Sequence, residues 1–337
     1  MIEKKSKIIV ILGPTSSGKS DAAIRLAEKF NGEIISADSR QIYRSLDIGT
    51  GKVTGGQSPV ILSEVPLGGT KSKDLITKQI FVSEGIPHYL IDIVSPRTNF
   101  SAAQFKKYAD KIIADILKRG KLPIICGGTG FWIKAIVDDV SYPEVKPDWK
   151  LRNLLRNKTA EELFSKLKKI DPRRAKSIDA KNKVRLIRAI EICKTLGRVP
   201  DTKYQIPNTK YEFLQIGISL PPKKLHENIE KRLKQRFSAG MIEEVKRLHY
   251  KDKISWKRLE SFGLGYFWIP KHLRGEIASR EELFEKVLQA EKDYAKRQMT
   301  WFQKDKRIIW LKKYGEIRKK AEDFLEIKRD NQIRAGG

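Results

Sequence analysis

The chain has 337 residues, enough for one large or two medium domains with a buried core. Its hydrophobic content of 40% fits a soluble globular protein, and no apolar run approaches the roughly 20 residues of a membrane-spanning helix. The two cysteines, Cys126 and Cys193, exclude a disulfide framework and a cysteine-rich zinc site. Charged residues lead directly into the first apolar run and leave no room for a signal peptide. We therefore expect a cytoplasmic protein without a membrane partner.

The charge balance is strongly basic. Lys and Arg number 69 against 41 Asp and Glu, so the formal net charge is +28. A solvated, highly charged surface would explain part of this excess, but a potential of this size also recruits polyanions. We therefore predict a nucleic-acid partner, although charge alone does not separate RNA from DNA.

The first part of the chain alternates short apolar runs with amphipathic segments. The runs predict strands, and apolar residues spaced three or four apart predict helices. We predict strands over 8–12, 32–36, 89–94 and 122–126, and helices over 19–30 and 101–119. Ser101 stands where an N-cap is expected. This βαβ rhythm predicts an α/β fold with a parallel, doubly wound sheet and a site at the carboxyl ends of its strands.

The composition changes after residue 140. Residues 149–198 are rich in Lys and Arg, show helical spacing and lack strand signals, so we predict a helical domain over 141–210 that is inserted into the α/β core. The two parts of that core are predicted over 1–140 and 211–312. Later elements are expected as a strand over 214–220, helices on both sides of Gly240 and over 281–303, a strand over 307–311 and a charged tail over 313–337.

A glycine-rich loop joins the first predicted strand to the first predicted helix. Its residues are Gly13, Pro14, Thr15, Ser16, Ser17, Gly18, Lys19 and Ser20. The order of strand, G-x-x-x-x-G-K-[ST] loop and helix is that of a P-loop, in which backbone N–H groups and the helix N-terminus surround an anion. The amine of Lys19 adds a positive charge, and the Ser20 hydroxyl is a ligand type for Mg²⁺. We therefore predict a P-loop NTPase-like core that binds a di- or triphosphate.

Two further loops follow strands at the same predicted edge. Asp38 stands at the exit of the second strand, where its carboxylate could hold Mg²⁺, act as a general base or cap a following helix. Ser39 and Gln41 add donors and acceptors suited to reading a base edge. The Gly-Gly-Thr-Gly turn at 127–130 allows close approach of a ligand, with Thr129 as its only side-chain hydroxyl. A plain strand-to-helix turn would have the same sequence.

Three basic segments in the second half are candidates for contacts with phosphates. Arg232 lies in a predicted helix among other basic residues, and Arg185 and Arg188 lie three apart on one predicted helix face. Residues 296–302 interleave basic and aromatic side chains, a composition typical of surfaces that stack bases and contact phosphates. Exposed charge for the arginines, and core packing for the aromatic residues, would produce the same pattern.

Together these segments resemble the tRNA dimethylallyltransferase family, whose members prenylate the adenosine on the 3′ side of the anticodon. The matching segments run in order along most of the chain. They are 13–20, 34–44, 46–52, 85–92, 127–130, 171–172 with 185–191, 225–227, 265–266 and 294–302. The resemblance implies transfer of a dimethylallyl group from dimethylallyl diphosphate to N6 of that adenosine, in tRNAs that read codons beginning with U, with release of diphosphate.

The resemblance also implies roles for individual residues. The diphosphate would lie in the P-loop with Mg²⁺ on Ser20, and Lys19 and Arg232 would stabilise its developing charge. Thr129 would hydrogen-bond near the bridging oxygen, and Asp38 would accept the proton of the N6 amine. The implied tRNA contacts are Asp38, Ser39, Arg40, Gln41, Thr129, Arg185, Arg188, Gly265, Tyr266, Lys296, Arg297 and Gln298. The implied partners are the anticodon stem-loop of tRNA and dimethylallyl diphosphate, bound by a monomer.

The sequence departs from the family pattern in two places. The family has Thr-Arg shortly before its Tyr-Ala-Lys-Arg-Gln string, whereas this chain has Glu291 and Lys292 there. This difference weakens the expectation of a tRNA contact at Lys292. The segment between Lys52 and Gly85 is longer than usual and rich in glycine, and its sequence indicates no role.

Three other functions fit part of this pattern. A P-loop small-molecule kinase or ATPase explains Lys19 and Ser20, but not the basic charge or the helical insertion. An adenylate isopentenyltransferase shares the prenyl chemistry but modifies a free nucleotide, and it needs no large basic surface. A non-enzymatic RNA-binding module leaves Asp38 and the two glycine turns unexplained.

Overall fold

Eight strands of the described part of the chain form one mostly parallel sheet. The computed structural model describes residues 5–59, 79–200 and 211–326. The strands are β1 (Ser6–Leu12), β2 (Gly32–Ser36), β3 (Gly56–Pro59), β4 (Gln79–Ser83), β5 (Ile86–Tyr89), β6 (Leu122–Gly127), β7 (Tyr211–Ile218) and β8 (Ile309–Leu311). Their order is β3-β4-β5-β2-β6-β1-β7-β8, parallel from β5 to β8 and antiparallel across β3, β4 and β5. The predicted parallel α/β sheet is therefore confirmed, with an antiparallel edge that the sequence did not predict.

Helices follow most of the strands. They are α1 (Lys19–Lys29), α2 (Ala102–Lys118), α3 (Gly130–Val137), α4 (Trp149–Arg156), α5 (Ala160–Ile170), α6 (Pro172–Ser177), α7 (Lys183–Leu196), α8 (Pro222–Ser238), α9 (Met241–Tyr250), α10 (Trp256–Glu260), α11 (Gly265–Leu273), α12 (Arg280–Phe302) and α13 (Tyr314–Leu325). Among the described residues, every helix is too short or too polar to cross a lipid bilayer.

Helices cover both faces of the sheet. Along β1, Val10 and Leu12 pack into a core that also holds residues of α2, α8, α9 and α12, whereas Ile9 and Ile11 pack with α1 and α13. Successive strand residues face opposite sides, so a strand covered on both sides must be apolar throughout. Each of these side chains is fully buried, which stabilises the fold by roughly 1.5–3 kcal/mol per residue. The apolar run over residues 8–12 of β1 thus places the end of this strand, and the P-loop, in the middle of the sheet.

Most predicted elements agree with the structure to within three residues at each end. Ser101 caps α2 through a reciprocal pair of hydrogen bonds, as its position predicted. The strand predicted over 89–94 is wrong, because β5 ends at Tyr89. Leu90 and Asp92 have φ angles of 62° and 57°, in the left-handed region that interrupts an extended strand. Residues 60–78 of the glycine-rich segment lie outside the described residues.

The chain divides into two compact units, residues 1–137 with 208–337 and residues 138–207. The second unit contains α4 to α7, and Leu155, Leu163, Leu167 and Leu186 are fully buried in its own apolar core. The buried carboxylate of Glu191 accepts hydrogen bonds from the Arg152 guanidinium at 2.7 and 2.8 Å. The second unit therefore has a core and a buried ion pair of its own.

The last described segment is helical. Ile317 and Ala321 of α13 are buried in the cluster that contains α1, so the charged segment after residue 313 also packs on the sheet. Its exposed face carries Arg318, Lys319 and Lys320. Residues 327–337 of the predicted tail lie outside the described residues.

A buried carboxylate on β2 makes the stability of the fold depend on pH. Burial opposes ionisation of Glu33, but hydrogen bonds from Arg119, Lys121 and the Tyr89 hydroxyl outweigh it and lower its pKa from 4.5 to about 2. A carboxylate with a lowered pKa stabilises the folded state above pH 4.5, and this contribution is lost as the pH falls towards 2.

We expect Glu33→Gln to lower the free energy of unfolding at pH 7 by about 3 kcal/mol, the value that corresponds to the pKa shift. The difference between wild type and variant should shrink as the pH falls from 4.5 towards 2. Urea unfolding at a series of pH values measures both quantities, with Glu285→Gln at an exposed position of α12 as the control. A difference that stays constant across this range would contradict the assignment.

Candidate active site

The P-loop, residues 13–20, connects β1 to α1. Gly18 directly precedes the helix with a φ of 88°, a conformation that favours glycine. The hydroxyl oxygens of Ser16 and Ser17 are buried and have no hydrogen-bond partner in the described structure. Buried hydroxyls normally have partners, and a bound oxyanion would supply them. The loop therefore fits a phosphate group.

Lys19 stands at the start of α1 with its amine folded back over the loop. Its Nζ donates a hydrogen bond to the carbonyl oxygen of Pro14 at 3.2 Å. Burial lowers the pKa of Lys19, and the nearby charge of Arg232 lowers it further, while Asp38 acts in the opposite direction. A bound anion would favour the charged amine, since an opposite charge within a few ångströms stabilises it.

Asp38 lies in the loop after β2. Its Oδ1 accepts a hydrogen bond from the backbone N–H of Arg40 at 2.9 Å, which closes a local turn. Turns rather than a helix follow, so Asp38 is not the helix cap that the sequence allowed. The side chain of Arg40 is held by the carbonyl of Phe262 at 2.7 Å and lies 4.7 Å from the ring centroid of Tyr294.

The loop after β2 is tied to the Gly-Gly-Thr-Gly turn after β6. The hydroxyl of Thr129 accepts a hydrogen bond from the backbone N–H of Ser39 at 3.0 Å. The backbone N–H of Thr129 donates to the carbonyl oxygen of Ala37 at 3.1 Å. A Cβ on Gly127 would stand 2.3 Å from that same carbonyl oxygen, so only glycine permits this approach. Thr129 and Asp38 are therefore held on adjoining loops.

Two arginines of α8 line the same region. Arg232 donates to the carbonyl of Gly51, and burial together with the Arg236 charge lowers its pKa. Arg236 lies one helical turn later, donates to the carbonyl of Gly49 at 3.1 Å and pairs with the Glu291 carboxylate at 2.6 Å. Glu291 neutralises the charge of Arg236, whereas Arg232 has no carboxylate in ion-pair contact within the part of the chain that the structure describes.

A pocket at the carboxyl edge of the sheet joins these elements. Polar side chains of the P-loop, the β2 loop, α8 and α12 line it together with an apolar wall from α1, β2, β6 and neighbouring loops. The lining residues are Thr15, Lys19, Ser20, Ala23, Ile34, Ser36, Asp38, Arg40, Gln41, Gly49, Thr50, Val53, His88, Ile91, Cys126, Gly127, Arg232, Arg236, Leu264, Glu291, Tyr294 and Gln298. The pocket therefore offers cations and a carboxylate beside apolar surface, as a ligand with a phosphate end and a hydrocarbon end requires.

Three residues predicted to contact tRNA are buried. Tyr266 is fully buried, and its hydroxyl donates to Glu244 at 2.6 Å. Gly265 is buried at the start of α11, where an added Cβ would stand 2.0 Å from the Met241 methyl carbon. Gln298 is only 6% exposed and hydrogen-bonds to backbone groups of the site. All three therefore contribute to packing or loop geometry, and their contact with tRNA stays a prediction.

Other predicted tRNA contacts lie at surfaces. Lys296 and Arg297 are exposed on α12, and the Arg297 guanidinium lies 5.9 Å from the ring centroid of Tyr294. Arg185 is exposed on α7 of the second unit. Arg188 pairs with Glu191 and donates to the carbonyl of Val145 at 2.9 Å, so its guanidinium already has partners within that unit.

The sequence reasoning missed Arg236 and Tyr294 as pocket residues. Arg236 could have been found by its position one helical turn after Arg232 on the same face. Glu291 was noted only as a departure from the family, and nothing in the sequence pairs it with Arg236. The side-chain oxygen of Gln41 accepts a hydrogen bond from the Ser36 hydroxyl at 3.3 Å, and its nitrogen donates to the carbonyl oxygen of Gly51 at 3.4 Å. Gln41 therefore helps to hold the β2 loop.

Family models locate the chain among known proteins. A model described as IPP transferase matches residues 71–305, and a model described as isopentenyl transferase matches residues 6–57. The chain belongs to the IPP transferase family. The resemblance inferred from the sequence motifs is thereby confirmed.

Relatives within the IPP transferase family agree over nearly the whole chain. A protein of Acetivibrio thermocellus named tRNA dimethylallyltransferase is 39% identical over 318 residues, which cover 91% of each chain. The full-length tRNA isopentenylpyrophosphate transferase of Bacillus halodurans has 31% identity, a TM-score of 0.65 and coverage of 96% of this chain and 97% of its own. The corresponding enzyme of Staphylococcus epidermidis has 34% identity and a TM-score of 0.63, and the match covers 95% of this chain and all of its own.

Proposed function

We propose that this IPP transferase moves the dimethylallyl group of dimethylallyl diphosphate to N6 of the adenosine next to the anticodon of tRNA. The observation that carries the proposal is the meeting of Lys19, Asp38 and Arg232 in one pocket beside the P-loop. Cations there suit a diphosphate, and a carboxylate suits an amine that must lose a proton. The names of the curated relatives support this reaction.

In the proposed reaction, a C–N bond forms and a C–O bond breaks. The N6 nitrogen attacks the first carbon of the dimethylallyl group, and the bonding electrons of the C–O bond leave with the diphosphate. Lys19 and Arg232 stabilise the negative charge that develops on the leaving oxygens. Asp38 takes the proton from N6, whose lone pair is otherwise delocalised into the ring. Thr129 supports the β2 loop beside Asp38 and brings a hydroxyl to the same edge.

We further propose that the core is P-loop NTPase-like. The loop follows β1, the strand with parallel neighbours β6 and β7, and opens directly into the N-terminus of α1. The orphaned hydroxyls of Ser16 and Ser17 support a phosphate-binding role for it. In this proposal the bound group leaves as diphosphate, and no phosphoryl group is transferred.

Mg²⁺ is the proposed cofactor. No group of three or more His, Cys, Asp or Glu side chains that could hold a metal occurs among the described residues. The ion would therefore be held by Ser20 together with oxygens of the diphosphate, a ligand set that Mg²⁺ favours. When bound, it would offset negative charge on the leaving group.

The net charge of +28 supports tRNA rather than a free nucleotide as the acceptor. The second unit contributes many exposed basic residues on α4 to α7, among them Arg185, and we propose that they contact the anticodon stem-loop. A monomer is the proposed active form. A tRNA substrate also implies that the protein works in the cytoplasm.

Acceptor choice tests the proposed function. The protein is incubated with Mg²⁺ and dimethylallyl diphosphate labelled in the prenyl carbons, together with tRNA, AMP or ATP. We expect label on tRNA only. Label on AMP but not on tRNA would indicate an adenylate isopentenyltransferase, and ATP hydrolysis without prenyl transfer would indicate an ATPase or kinase.

Binding of tRNA should weaken steeply as salt increases, because phosphate contacts release counterions. We expect the double variant Lys296→Ala/Arg297→Ala to lower the slope of log affinity against log salt by about two, one for each positive charge removed from a phosphate. Filter binding between low and moderate salt measures the slope. Lys319→Ala/Lys320→Ala removes the same charge from α13 and is the matched control. Equal slopes for the two double variants would exclude the α12 surface as a tRNA contact.

A further inference from the structure

The side-chain amide of Gln298 lies between the two glycine-containing loops of the site. Its Oε1 accepts a hydrogen bond from the backbone N–H of Thr15 in the P-loop at 2.9 Å. Its Nε2 donates to the carbonyl oxygen of Gly128 at 2.9 Å. Thr15 and Gln298 are 283 residues apart in the sequence, and the amide is buried. One planar group thus connects the loop proposed to hold the donor to the turn that carries Thr129.

The amide group suits this connection because it donates and accepts at once. One partner is a donor and the other an acceptor, so the linking group must offer both an acceptor and a donor. A carboxylate lacks the donor, and a hydrocarbon lacks both. A Cβ on Gly128 would stand 2.2 Å from Nε2 of Gln298, so the glycine is what lets the amide approach the turn.

The helix that carries Gln298 contacts other parts of the site from the same face. Residues three and four apart share a helix face, and Glu291, Tyr294 and Gln298 have this spacing on α12. Glu291 pairs with Arg236 of α8, and the ring of Tyr294 lies against the Arg40 guanidinium of the β2 loop. One helix face therefore contacts α8, the β2 loop, the P-loop and the Gly128 turn.

We propose that Gln298 is a positioning residue that fixes the P-loop relative to the Gly128–Thr129 turn, and so aligns the prenyl donor with the acceptor amine. This inference rests on the proposed function. In this proposal Gln298, although it borders the pocket, acts through its hydrogen bonds to Thr15 and Gly128. Loss of the Gln298 amide leaves the P-loop and the Thr129 turn present but disturbs their alignment. A misplacement of about 1 Å lowers an enzyme's rate about 100-fold.

Gln298→Glu is the sharpest test, because it preserves the side-chain shape and the acceptor for Thr15 but removes the donor for Gly128. We expect its single-turnover rate of prenyl transfer to fall about 10- to 100-fold with tRNA affinity unchanged. Since a buried carboxylate can destabilise the fold, Gly128→Ala provides an independent variant that displaces the amide from the other side. It should show the same fall in rate with unchanged tRNA affinity. Gln289→Glu, at an exposed position of α12, is the matched control and should keep the wild-type rate.

A double-mutant cycle separates positioning from a general structural effect. If Gln298 acts through the Thr129 turn, Gln298→Glu should reduce the rate of a Thr129→Val enzyme by less than about threefold, because groups that act through one element are not additive. If Gln298→Glu lowers the rate of the Thr129→Val enzyme by the same factor as that of the wild type, the proposal is overturned. A wild-type rate in both Gln298→Glu and Gly128→Ala would overturn it too. A fall in tRNA affinity that matches the fall in rate would show a direct RNA contact instead. A wild-type protein that does not prenylate tRNA would refute the proposed function itself.

Discussion

Replacing Asp38 with asparagine should lower the rate of prenyl transfer by about 100-fold or more, the range of general-base catalysis. The asparagine oxygen can still accept the hydrogen bond from the Arg40 N–H, so the turn after β2 should keep its geometry. The variant lacks the proton acceptor for the N6 amine. The rate is measured in single turnovers with saturating tRNA and dimethylallyl diphosphate, and tRNA affinity is measured separately.

The comparison of two Asp38 variants separates catalysis from loop structure. Asp38→Ala removes both the proton acceptor and the turn, and it should be at least as slow as Asp38→Asn. Asp293→Asn changes an exposed carboxylate of α12 in the same way and should leave the rate unchanged. If Asp38→Asn loses rate and tRNA affinity in equal measure, Asp38 is a structural or RNA-binding residue. A wild-type rate in Asp38→Asn would exclude it as the base.

Arg232→Ala should lower the rate about 100- to 1,000-fold, because one donor to a developing oxyanion is typically worth about 3–4 kcal/mol. Arg232 lines the pocket beside Lys19, and its burial strengthens its interaction with a charged ligand. Affinity for the product diphosphate should fall in the same variant, whereas affinity for tRNA should not. Single-turnover rates and diphosphate inhibition constants measure these effects.

Arg232→Lys tests whether charge or geometry matters at this position. It keeps the charge but loses the planar fork of donors, so we expect it to recover only part of the rate. Lys231→Ala, at the exposed neighbouring position of α8, should behave as wild type. A full rate in Arg232→Ala would show that Lys19 and the P-loop amides suffice for the leaving group.

Much of the fold could be predicted from local patterns. The apolar run of β1 and the helical spacing of α2 are contiguous signals, and both elements are present near their expected ends. The antiparallel pairing of β3 and β4 could not be predicted, because it depends on which strand edge the segment meets. The strand expected over 89–94 is interrupted by left-handed backbone at Leu90, which an apolar run does not reveal.

The candidate site divides in the same way. The P-loop and the Gly-Gly-Thr-Gly turn are contiguous motifs, so the sequence located both. The link made by Gln298 joins residues from opposite ends of the chain, and the pairing of Arg236 with Glu291 bridges 55 positions. Such contacts depend on how the helices pack. The sequence of a helix does not reveal which distant residue a basic or polar side chain will contact. The sequence therefore located the groups that we propose to bear the chemistry, but not the contacts of Gln298, Arg236 and Glu291 that hold the surrounding elements together.

The most direct test of the central claim is the mass of the nucleosides released from tRNA after reaction with the protein, Mg²⁺ and dimethylallyl diphosphate. We expect one adenosine next to the anticodon to gain the mass of a single dimethylallyl group. With Asp38→Asn, the same gain should form about 100-fold more slowly or not at all. An unmodified adenosine at that position with the wild-type protein, or prenylated AMP without prenylated tRNA, would contradict the proposed function.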